Sequence, residues 1–378
     1  MTLITYLTRV HFADGVLEEA LWSELKAMGK RTPVLVTDAE HAAGPLFERL
    51  RSGFPTRCVP ALFTDIPATP NEAAAARLAA FYREVNADLL VAFGPSAAID
   101  LAKVARIAIT HPDMPLITYS YAQGGSRRIG ADLPDLFAIQ SIVGFGSAVA
   151  AHAPATLTGG ERALMMCRKL IPTVTICDPT VTLGASPELS ASAGADAITR
   201  CIEAFLSRSY NPPADGIALD GLRRAVANIG RVLADSEDLA ARREMMAATL
   251  NGALALQKGL GASHAMTNAL RAVAEHPLDQ GALSRILLPE VMRFNRDAVP
   301  EKATALAGVL GGADRDDIVA EVEALFAPLP LPTRLSELEI SARMLRPAAQ
   351  VAAHDLATDT NPRRAEADDY LALMQSVQ

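Results

Sequence analysis

The segment LLVAFGPSAAIDLAK, residues 89–103, carries the clearest structural signal in the chain. Leu89–Phe93 is a continuous apolar run, typical of a strand buried on both faces of a parallel sheet. Gly94 begins a turn, and the small residues after it favour a helix. Backbone amides and the helix dipole at such a turn bind phosphate groups, although a turn that only joins two elements has a similar sequence. We therefore predict an α/β sheet here, and the residues alone leave open whether the turn at 94–97 binds a pyrophosphate or only joins the strand to the helix.

Short apolar runs and amphipathic runs alternate on both sides of this segment, which is the pattern of a Rossmann-like domain with a parallel sheet. A helix is predicted over Glu72–Glu84, and the further predicted strands are 34–37, 114–119, 137–143 and 173–177. The pair Asp178-Pro179 disfavours helix and ends the last strand. The sequence thus predicts an α/β domain over residues 1–180.

From Pro187 onward the apolar residues recur with the period of a helix. The predicted helices are 187–207, 214–235, 239–256, 260–273, 281–294 and 300–310. We therefore predict an all-helical second domain over residues 181–378. No internal repeat or low-complexity linker separates the halves, so we expect them to pack around a shared cleft, where ligands commonly bind.

Composition excludes several classes of protein. The chain has 378 residues, with 35 Lys and Arg against 43 Asp and Glu, a net charge of −8, which disfavours binding to nucleic acid. No window has the roughly 18 apolar residues of a membrane span, and charged residues occupy the region where a signal peptide would be apolar. The four cysteines lack paired spacing, which favours buried free thiols. We expect a cytoplasmic protein that does not bind a membrane.

Several motifs, in order, resemble those of the iron-containing (group III) alcohol dehydrogenase family. Residues 94–103 are similar to the family's GGGSxxDxAK loop, and Gly144-Phe145-Gly146-Ser147 is similar to its GTGS loop. The other matching segments are 34–38, 178–179, 187–189, 194–197, 261–266, 287–291 and 361–363. The resemblance spans nearly the whole chain. It implies a Rossmann-like domain followed by a helical domain, a nicotinamide cofactor and a homodimer.

The predicted cofactor site lies in the first half of the chain. Asp38 follows a predicted strand. A carboxylate there accepts hydrogen bonds from a ribose diol and repels a 2′-phosphate, so Asp38 favours NAD over NADP. The alternative is that Asp38 is a solvated residue of a turn. The residues that the resemblance implies for cofactor binding are Asp38, Gly94, Pro95, Ser96, Ala97, Asp100, Ser141, Gly144, Phe145, Ser147 and Arg162. Pro95 replaces a glycine of the family and has no amide proton, so we expect weaker contact with a pyrophosphate.

The metal site of the family is altered in this chain. Relatives hold a divalent metal with one Asp and three His, and the corresponding residues here are Asp196, Arg200, His264 and Gln280. Arginine has no lone pair to offer, and an amide is a poor replacement for imidazole. We therefore expect no bound metal. The one route to a three-ligand site is Asp196 and His264 joined by His276 through a shifted loop.

Two interpretations of Arg200 are open. Asp196, Arg200 and Glu203 are spaced i, i+4 and i+7, so they share one face of a predicted helix. If that face is exposed, the ion pair adds only about 0.3–0.5 kcal/mol and has no function. If it lines the substrate site, as the resemblance favours, the guanidinium binds a carboxylate or polarises a carbonyl oxygen in place of the metal.

His264 is the predicted proton donor, because imidazole titrates near neutral pH. His276 is held in reserve for this role, and Asn268 lies on the same helical face as His264. The other histidines, His41 among them, show no ligand spacing and are predicted to be structural or on the surface.

Two functions are compatible with these features. The first is NAD(P)-linked interconversion of a small alcohol and an aldehyde or ketone without a metal, with a carboxylate-bearing substrate suiting Arg200. The second is a family member that has lost dehydrogenase chemistry and serves as a ligand-binding or scaffold protein, or as a non-redox enzyme. Pro95, Arg200, Asn268 and Gln280 fit the second as well as the first.

Overall fold

The computed structural model describes residue 4 and residues 8–130, 132–141, 146–312 and 318–378. These residues divide into two compact units, one within residues 8–182 and the other built mainly of Leu183–Gln378. No helix in the described ranges is long and apolar enough to cross a membrane.

The first unit is built on strands. Its described strands are β1 (Arg9–Phe12), β2 (Pro33–Val36), β3 (Ala61–Phe63), β4 (Leu89–Gly94), β5 (Asp135–Gln140), β6 (His152–Thr156), β7 (Arg162–Met166) and β8 (Val174–Cys177). Six of them form a parallel sheet in the order β1-β8-β5-β4-β2-β3, and β6 and β7 form an antiparallel hairpin. The carboxyl ends of β2, β4 and β5 therefore lie side by side.

Helices cover both faces of this sheet. They are α1 (Leu17–Ala27), α2 (Ala39–Ala43), α3 (Leu46–Ser52), α4 (Glu72–Glu84) and α5 (Ser96–Thr110). Successive residues of a strand point to opposite faces, and β4 shows this directly. Leu89, Val91 and Phe93 pack in the core with α1 and α3, whereas Leu90 and Ala92 pack in the core with α4 and α5. Burial on both sides explains why this strand is apolar throughout.

The predicted elements of the first unit are mostly present, with one error. Helix α4 has the predicted bounds, but the strand predicted over 114–119 is wrong. Leu116–Tyr119 forms a short 3₁₀ turn instead, in which the Thr118 amide donates to the Pro115 carbonyl at 3.0 Å. Proline fixes its own φ and favours such a turn. Strands β1 and β3 and the β6–β7 hairpin were not predicted.

The second unit is helical throughout its described residues. Its helices are α6 (Pro187–Leu206), α7 (Pro212–Ala234), α8 (Leu239–Ala255), α9 (Ala262–Val273), α10 (Gln280–Asn295), α11 (Pro300–Leu310), α12 (Ile318–Phe326), α13 (Ala342–Ala352), α14 (Leu356–Thr360) and α15 (Ala367–Ser376). The first six match predicted helices to within a few residues, and the last four were not predicted. The Rossmann-like and helical architecture predicted from the sequence is confirmed.

Helix α6 is the buried centre of the second unit and packs against α7, α8 and α10. Helix α10 approaches it closely at Gly281, where a Cβ would lie 2.0 Å from the Ser192 carbonyl oxygen. Only glycine allows this approach. It brings the first turn of α10, which begins at Gln280, against α6.

Candidate functional site

Charged side chains project from one face of α6 into the interior of the second unit. Asp196 is 0% exposed, Arg200 5% and Glu203 2%, so the exposed ion pair considered above is excluded. His264 of α9 joins them at 4% exposure. Buried charges are stable only when they are paired, and each of these has a partner within the cluster. We call Asp196, Arg200, Glu203, His264 and Gln280 the α6 cluster.

Each carboxylate oxygen of Asp196 accepts one hydrogen bond within the α6 cluster. Its Oδ2 accepts a hydrogen bond from Arg200 Nε at 2.6 Å, and its Oδ1 accepts one from Gln280 Nε2 at 2.7 Å. Gln280 is itself held by Arg271, whose Nη1 donates to the amide oxygen at 2.9 Å. Burial alone would raise the pKa of Asp196, but the charges of Arg200 and His264 outweigh it and hold the pKa well below its usual range. Asp196 is therefore an ionised carboxylate.

His264 has one occupied ring nitrogen and one available nitrogen. Its Nδ1 lies 2.5 Å from Glu203 Oε2, and because a carboxylate only accepts, Nδ1 carries the proton. Its Nε2 is buried, lies 3.6 Å from Asp196 Oδ1, and has no hydrogen-bond partner among the described residues. Burial lowers the pKa of His264, but the carboxylates of Glu203 and Asp196 raise it by more. The available nitrogen thus belongs to a ring that retains its second proton to higher pH than usual.

Glu203 also fixes the start of α9. Its Oε1 accepts from the Ser263 amide at 2.7 Å, which satisfies one of the free amides of the first turn. The sequence analysis placed Glu203 on the active face of α6 but assigned it no role. Glu203 lies 61 residues before its partner His264, and local spacing in the sequence does not reveal a contact over that separation.

Arg200 retains unused donors. Asp196 takes its Nε, and no acceptor in the described ranges bonds to Nη1 or Nη2. A guanidinium that is almost fully buried and still has two free donor groups can bind an oxygen anion strongly.

Two predicted catalytic residues lie outside the α6 cluster. The exposed Asn268 donates to Asp355 Oδ2 at 3.1 Å, and His276 Nε2 pairs with the Leu338 carbonyl oxygen at 3.1 Å. No group of three or more His, Cys, Asp and Glu side chains in the described part of the chain is placed to hold a metal ion. The three-ligand alternative that used His276 is therefore not formed by these residues.

The predicted nucleotide residues include a small polar network at the carboxyl edge of the sheet. Asp38 caps α2 by accepting from the His41 amide at 2.8 Å, and its carboxylate also bonds to His41 Nδ1. His41 Nε2 lies 2.6 Å from Ser141 Oγ. Burial would raise the pKa of Asp38, but the hydrogen bonds from His41 lower it, so the carboxylate is ionised. His41 is thus part of this site, which the sequence analysis missed because its contact with Ser141 spans 100 residues.

The turn after β4 has the features of a phosphate site. Gly94 adopts a φ of +132°, which favours glycine, and Pro95 caps α5 with no side-chain hydrogen bond. Ser96 Oγ is buried and has no hydrogen-bond partner among the described residues. The first amides of α5, at Ser96 and Ala97, therefore face a turn with an unused hydroxyl group.

The remaining predicted cofactor residues are distributed over the neighbouring segments. Asp100 Oδ2 accepts from Ser147 Oγ at 3.1 Å, so these two side chains bind each other. Arg162 is the half-buried first residue of β7. Gly144 and Phe145 lie outside the described residues.

Comparison with family models identifies the family to which the chain belongs. The profile "Iron-containing alcohol dehydrogenase" matches residues 8–179, and the profile "Fe-containing alcohol dehydrogenase family, C-terminal" matches residues 190–378. The chain belongs to the iron-containing alcohol dehydrogenase family. It is therefore an alcohol dehydrogenase-like enzyme.

Individual dehydrogenases of the family are similar over most of the chain. A 4-hydroxybutyrate dehydrogenase of Cupriavidus necator is 37% identical and covers 99% of this chain and 99% of its own. A 1,3-propanediol dehydrogenase of Klebsiella pneumoniae is 28% identical over 83% of this chain and 82% of its own. The crystal structure of a 1,3-propanediol oxidoreductase superposes with a TM-score of 0.91 at 25% identity and covers 100% of both chains.

Proposed function

We propose that this enzyme interconverts an alcohol and its aldehyde or ketone with NAD(H), and that Arg200 performs the task for which the family uses a metal. One observation carries the proposal. Asp196 is bonded to Arg200 Nε at 2.6 Å and to Gln280 Nε2 at 2.7 Å, so a fixed cation and an amide occupy the two altered ligand positions.

The side chains of the α6 cluster do not suit a divalent metal. At two of the family's ligand positions, Arg200 and Gln280 present N–H donors to Asp196, where a metal ion would need lone pairs. A guanidinium offers no lone pair and repels a dication. These contacts support a metal-free centre.

Arg200 would stabilise the oxygen of the substrate. In the reduction, negative charge develops on the carbonyl oxygen as its carbon becomes tetrahedral. The two free donor groups of Arg200 would bind that oxygen in a buried site, where a charged hydrogen bond is strong. Asp196 would hold the guanidinium in place through Nε.

His264 would complete the reaction as proton donor. Its Nε2 is the unpaired nitrogen of a ring whose pKa is raised by Glu203 and Asp196, so it carries a proton that can pass to the alkoxide. Glu203 accepts from Nδ1 and stabilises the imidazolium in the same way that a carboxylate orients a catalytic histidine. In the oxidation the neutral ring would take the proton from the alcohol.

NAD(H) would be held by the first unit. Asp38 fits a ribose diol, and the turn at Gly94–Ala97 with the amides of α5 fits a pyrophosphate. The unpaired Ser96 hydroxyl supports this assignment. When bound, the dihydronicotinamide supplies the hydride.

The substrate we propose is a small hydroxy acid and the corresponding aldehyde acid. The similar protein from Cupriavidus necator is named a 4-hydroxybutyrate dehydrogenase, and it aligns with 99% of this chain. Because the free donors of Arg200 would bind the reacting oxygen, the positive charge of Arg200 would favour an anionic substrate by electrostatic attraction across the site and not by hydrogen bonds to the carboxylate.

An assay with paired substrates tests this proposal. The purified enzyme is given NADH with 4-oxobutanoate or with butanal, which has the same chain length but no carboxylate. We expect turnover of both, with kcat/KM at least about tenfold higher for the acid, which corresponds to an electrostatic attraction of about 1.4 kcal/mol between the guanidinium and the substrate carboxylate. Equal kcat/KM values would contradict the substrate class. Absence of NADH oxidation with any alcohol–carbonyl pair would favour the competing function, a ligand-binding or scaffold protein.

A further inference from the structure

The network formed by Asp38, His41 and Ser141 sits where three parallel strands end. Asp38 follows β2, Ser141 follows β5, and β4 lies between these strands and ends at Gly94. Ser141 is 6% exposed, and the side chains of His41 and Asp38 are 20% and 24% exposed. The network is therefore largely enclosed but open on one side.

The geometry fixes the tautomer and the orientation of His41. Its Nδ1 lies 2.9 Å from Asp38 Oδ1 and 2.8 Å from Oδ2, and since a carboxylate only accepts, Nδ1 is a donor. In the neutral ring Nε2 is then an acceptor, and Ser141 Oγ donates to it at 2.6 Å. The ring also packs edge-on against Phe93, with centroids 5.6 Å apart. His41 is thus held at both nitrogens and along its edge.

The two carboxylate oxygens of Asp38 differ in how many hydrogen bonds they accept. Oδ1 accepts from both the His41 amide and Nδ1, whereas Oδ2 accepts from Nδ1 alone. Oδ2 is the oxygen nearest the Gly94 turn, and it would lie 3.5 Å from a Cβ placed on Gly94. Its remaining lone pair is therefore available beside the turn that we assign to the pyrophosphate.

We propose that His41 is a positioning residue for nucleotide recognition, which holds Asp38 Oδ2 toward the ribose and thereby sets the preference for NADH over NADPH. The inference rests on the proposed function for its cofactor. Without the His41 ring the Asp38 carboxylate keeps its charge and the bond from the residue 41 amide to Oδ1, but it loses the ring N–H that bonds to both oxygens and limits rotation about χ2, a soft torsion. A carboxylate held by the amide alone presents Oδ2 to the ribose hydroxyl groups less well and excludes a 2′-phosphate less strictly.

Fluorescence titration with NADH and NADPH tests this role by Kd, independently of turnover. We expect His41→Ala to raise the Kd for NADH about tenfold, the loss of one well-placed hydrogen bond to a charged group, and to leave the Kd for NADPH within about twofold. His41→Asn should stay within about threefold of the unmodified protein for both nucleotides, because its amide nitrogen can donate to Asp38 as Nδ1 does. His354→Ala, at an exposed histidine on the second unit, is the matched control and should change neither Kd.

A double substitution separates positioning from general loss of structure. In an Asp38→Asn background, His41→Ala should change the ratio of the Kd for NADPH to the Kd for NADH by less than about twofold, since the carboxylate that His41 positions is gone. The inference is overturned if His41→Ala leaves this ratio unchanged in the unmodified protein, or lowers it equally in both backgrounds. If NADH binds with the expected dependence on His41 but no alcohol or aldehyde is turned over, the proposed function fails and the inference stands. Binding of neither nucleotide overturns both.

Discussion

At the scale of single residues, the proposed mechanism predicts that removal of His264 affects the chemistry most directly. His264→Ala should lower kcat for carbonyl reduction by about a hundredfold or more, because the alkoxide loses its proton donor. Steady-state assays at saturating NADH measure this, and the KM for NADH should stay within about twofold. A kcat that changes only a few-fold would remove His264 from the mechanism.

Glu203 should set the pH range of the reaction through His264. The pKa of His264 is raised, so the ring keeps its second proton to higher pH than an ordinary histidine, and the reduction rate should fall as pH rises through that pKa. Glu203→Gln removes one of the two carboxylates that raise the pKa of His264, so the fall should move to lower pH. The pH profile of kcat/KM measures the shift.

A matched substitution controls for the loss of one carboxylate. Glu244 lies on α8 and forms a partly exposed ion pair with Arg224 of α7. Glu244→Gln alters this pair and should leave the pH profile unchanged. A profile for Glu203→Gln that coincides with the unmodified one would show that Glu203 serves only to cap α9.

Most members of the α6 cluster could be predicted from the sequence, but the contacts between them could not. Helical spacing placed Asp196, Arg200 and Glu203 on one face, since that relation is local. The contacts of Glu203 with His264 and of Gln280 with Asp196 span 61 and 84 residues and depend on how α9 and α10 pack on α6. Single-sequence periodicity contains no information about that packing.

At the scale of elements, the approach of α10 to α6 is what places Gln280 against Asp196. Gly281→Ala would put a Cβ 2.0 Å from the Ser192 carbonyl oxygen, so α10 must move away. We expect a loss of about 1–3 kcal/mol in the free energy of unfolding, together with reduced kcat as Gln280 leaves Asp196. Chemical denaturation and steady-state kinetics measure the two effects.

Gly308 of α11 provides the matched control for this substitution. A Cβ there meets nothing within 4 Å, so Gly308→Ala should be neutral or stabilise the protein by up to about 1 kcal/mol through helix propensity. Equal stability of the two alanine variants would contradict the close packing of α10 on α6.

Long, strongly periodic elements were the predictable ones. Helix α4 and the helices from α6 to α11 each have at least 11 residues, and β4 is apolar throughout because both of its faces are buried. Strand β3 has only three residues, and β6 contains Pro154, so neither gives a clear strand signal. The error at 114–119 arose because an apolar run alone does not distinguish a strand from a buried turn.

At the scale of the whole molecule, the folds of the two units suit the two tasks that we propose for them, nucleotide binding and carbonyl chemistry. Parallel strands of the first unit end at a glycine turn and a helix N-terminus, which suit a dinucleotide. The helical second unit supplies rigid, buried side chains, which suit the proton and oxyanion chemistry. The fold of the family is retained, with a TM-score of 0.91 to a 1,3-propanediol oxidoreductase, and our proposal assigns a change in chemistry to Arg200 and Gln280.

Restoring two side chains should restore a metal site. The family positions converge on Asp196, where Arg200, Gln280 and His264 all lie within 3.6 Å of its oxygens. The double variant R200H/Q280H should therefore bind one equivalent of Zn²⁺, whereas the unmodified protein should bind none at this site. Calorimetric titration with Zn²⁺ measures the difference. Equal weak binding by both proteins would show that the two positions do not complete a site.

The metal content of the active enzyme tests the central claim most directly. The protein is purified with and without a strong chelator, and bound zinc and iron per chain are measured beside NADH-dependent carbonyl reduction on the same samples. The arginine-centred mechanism predicts full activity at far less than one equivalent of metal. One equivalent of zinc or iron per chain, with activity lost when the chelator removes it and recovered when it is returned, would contradict the mechanism.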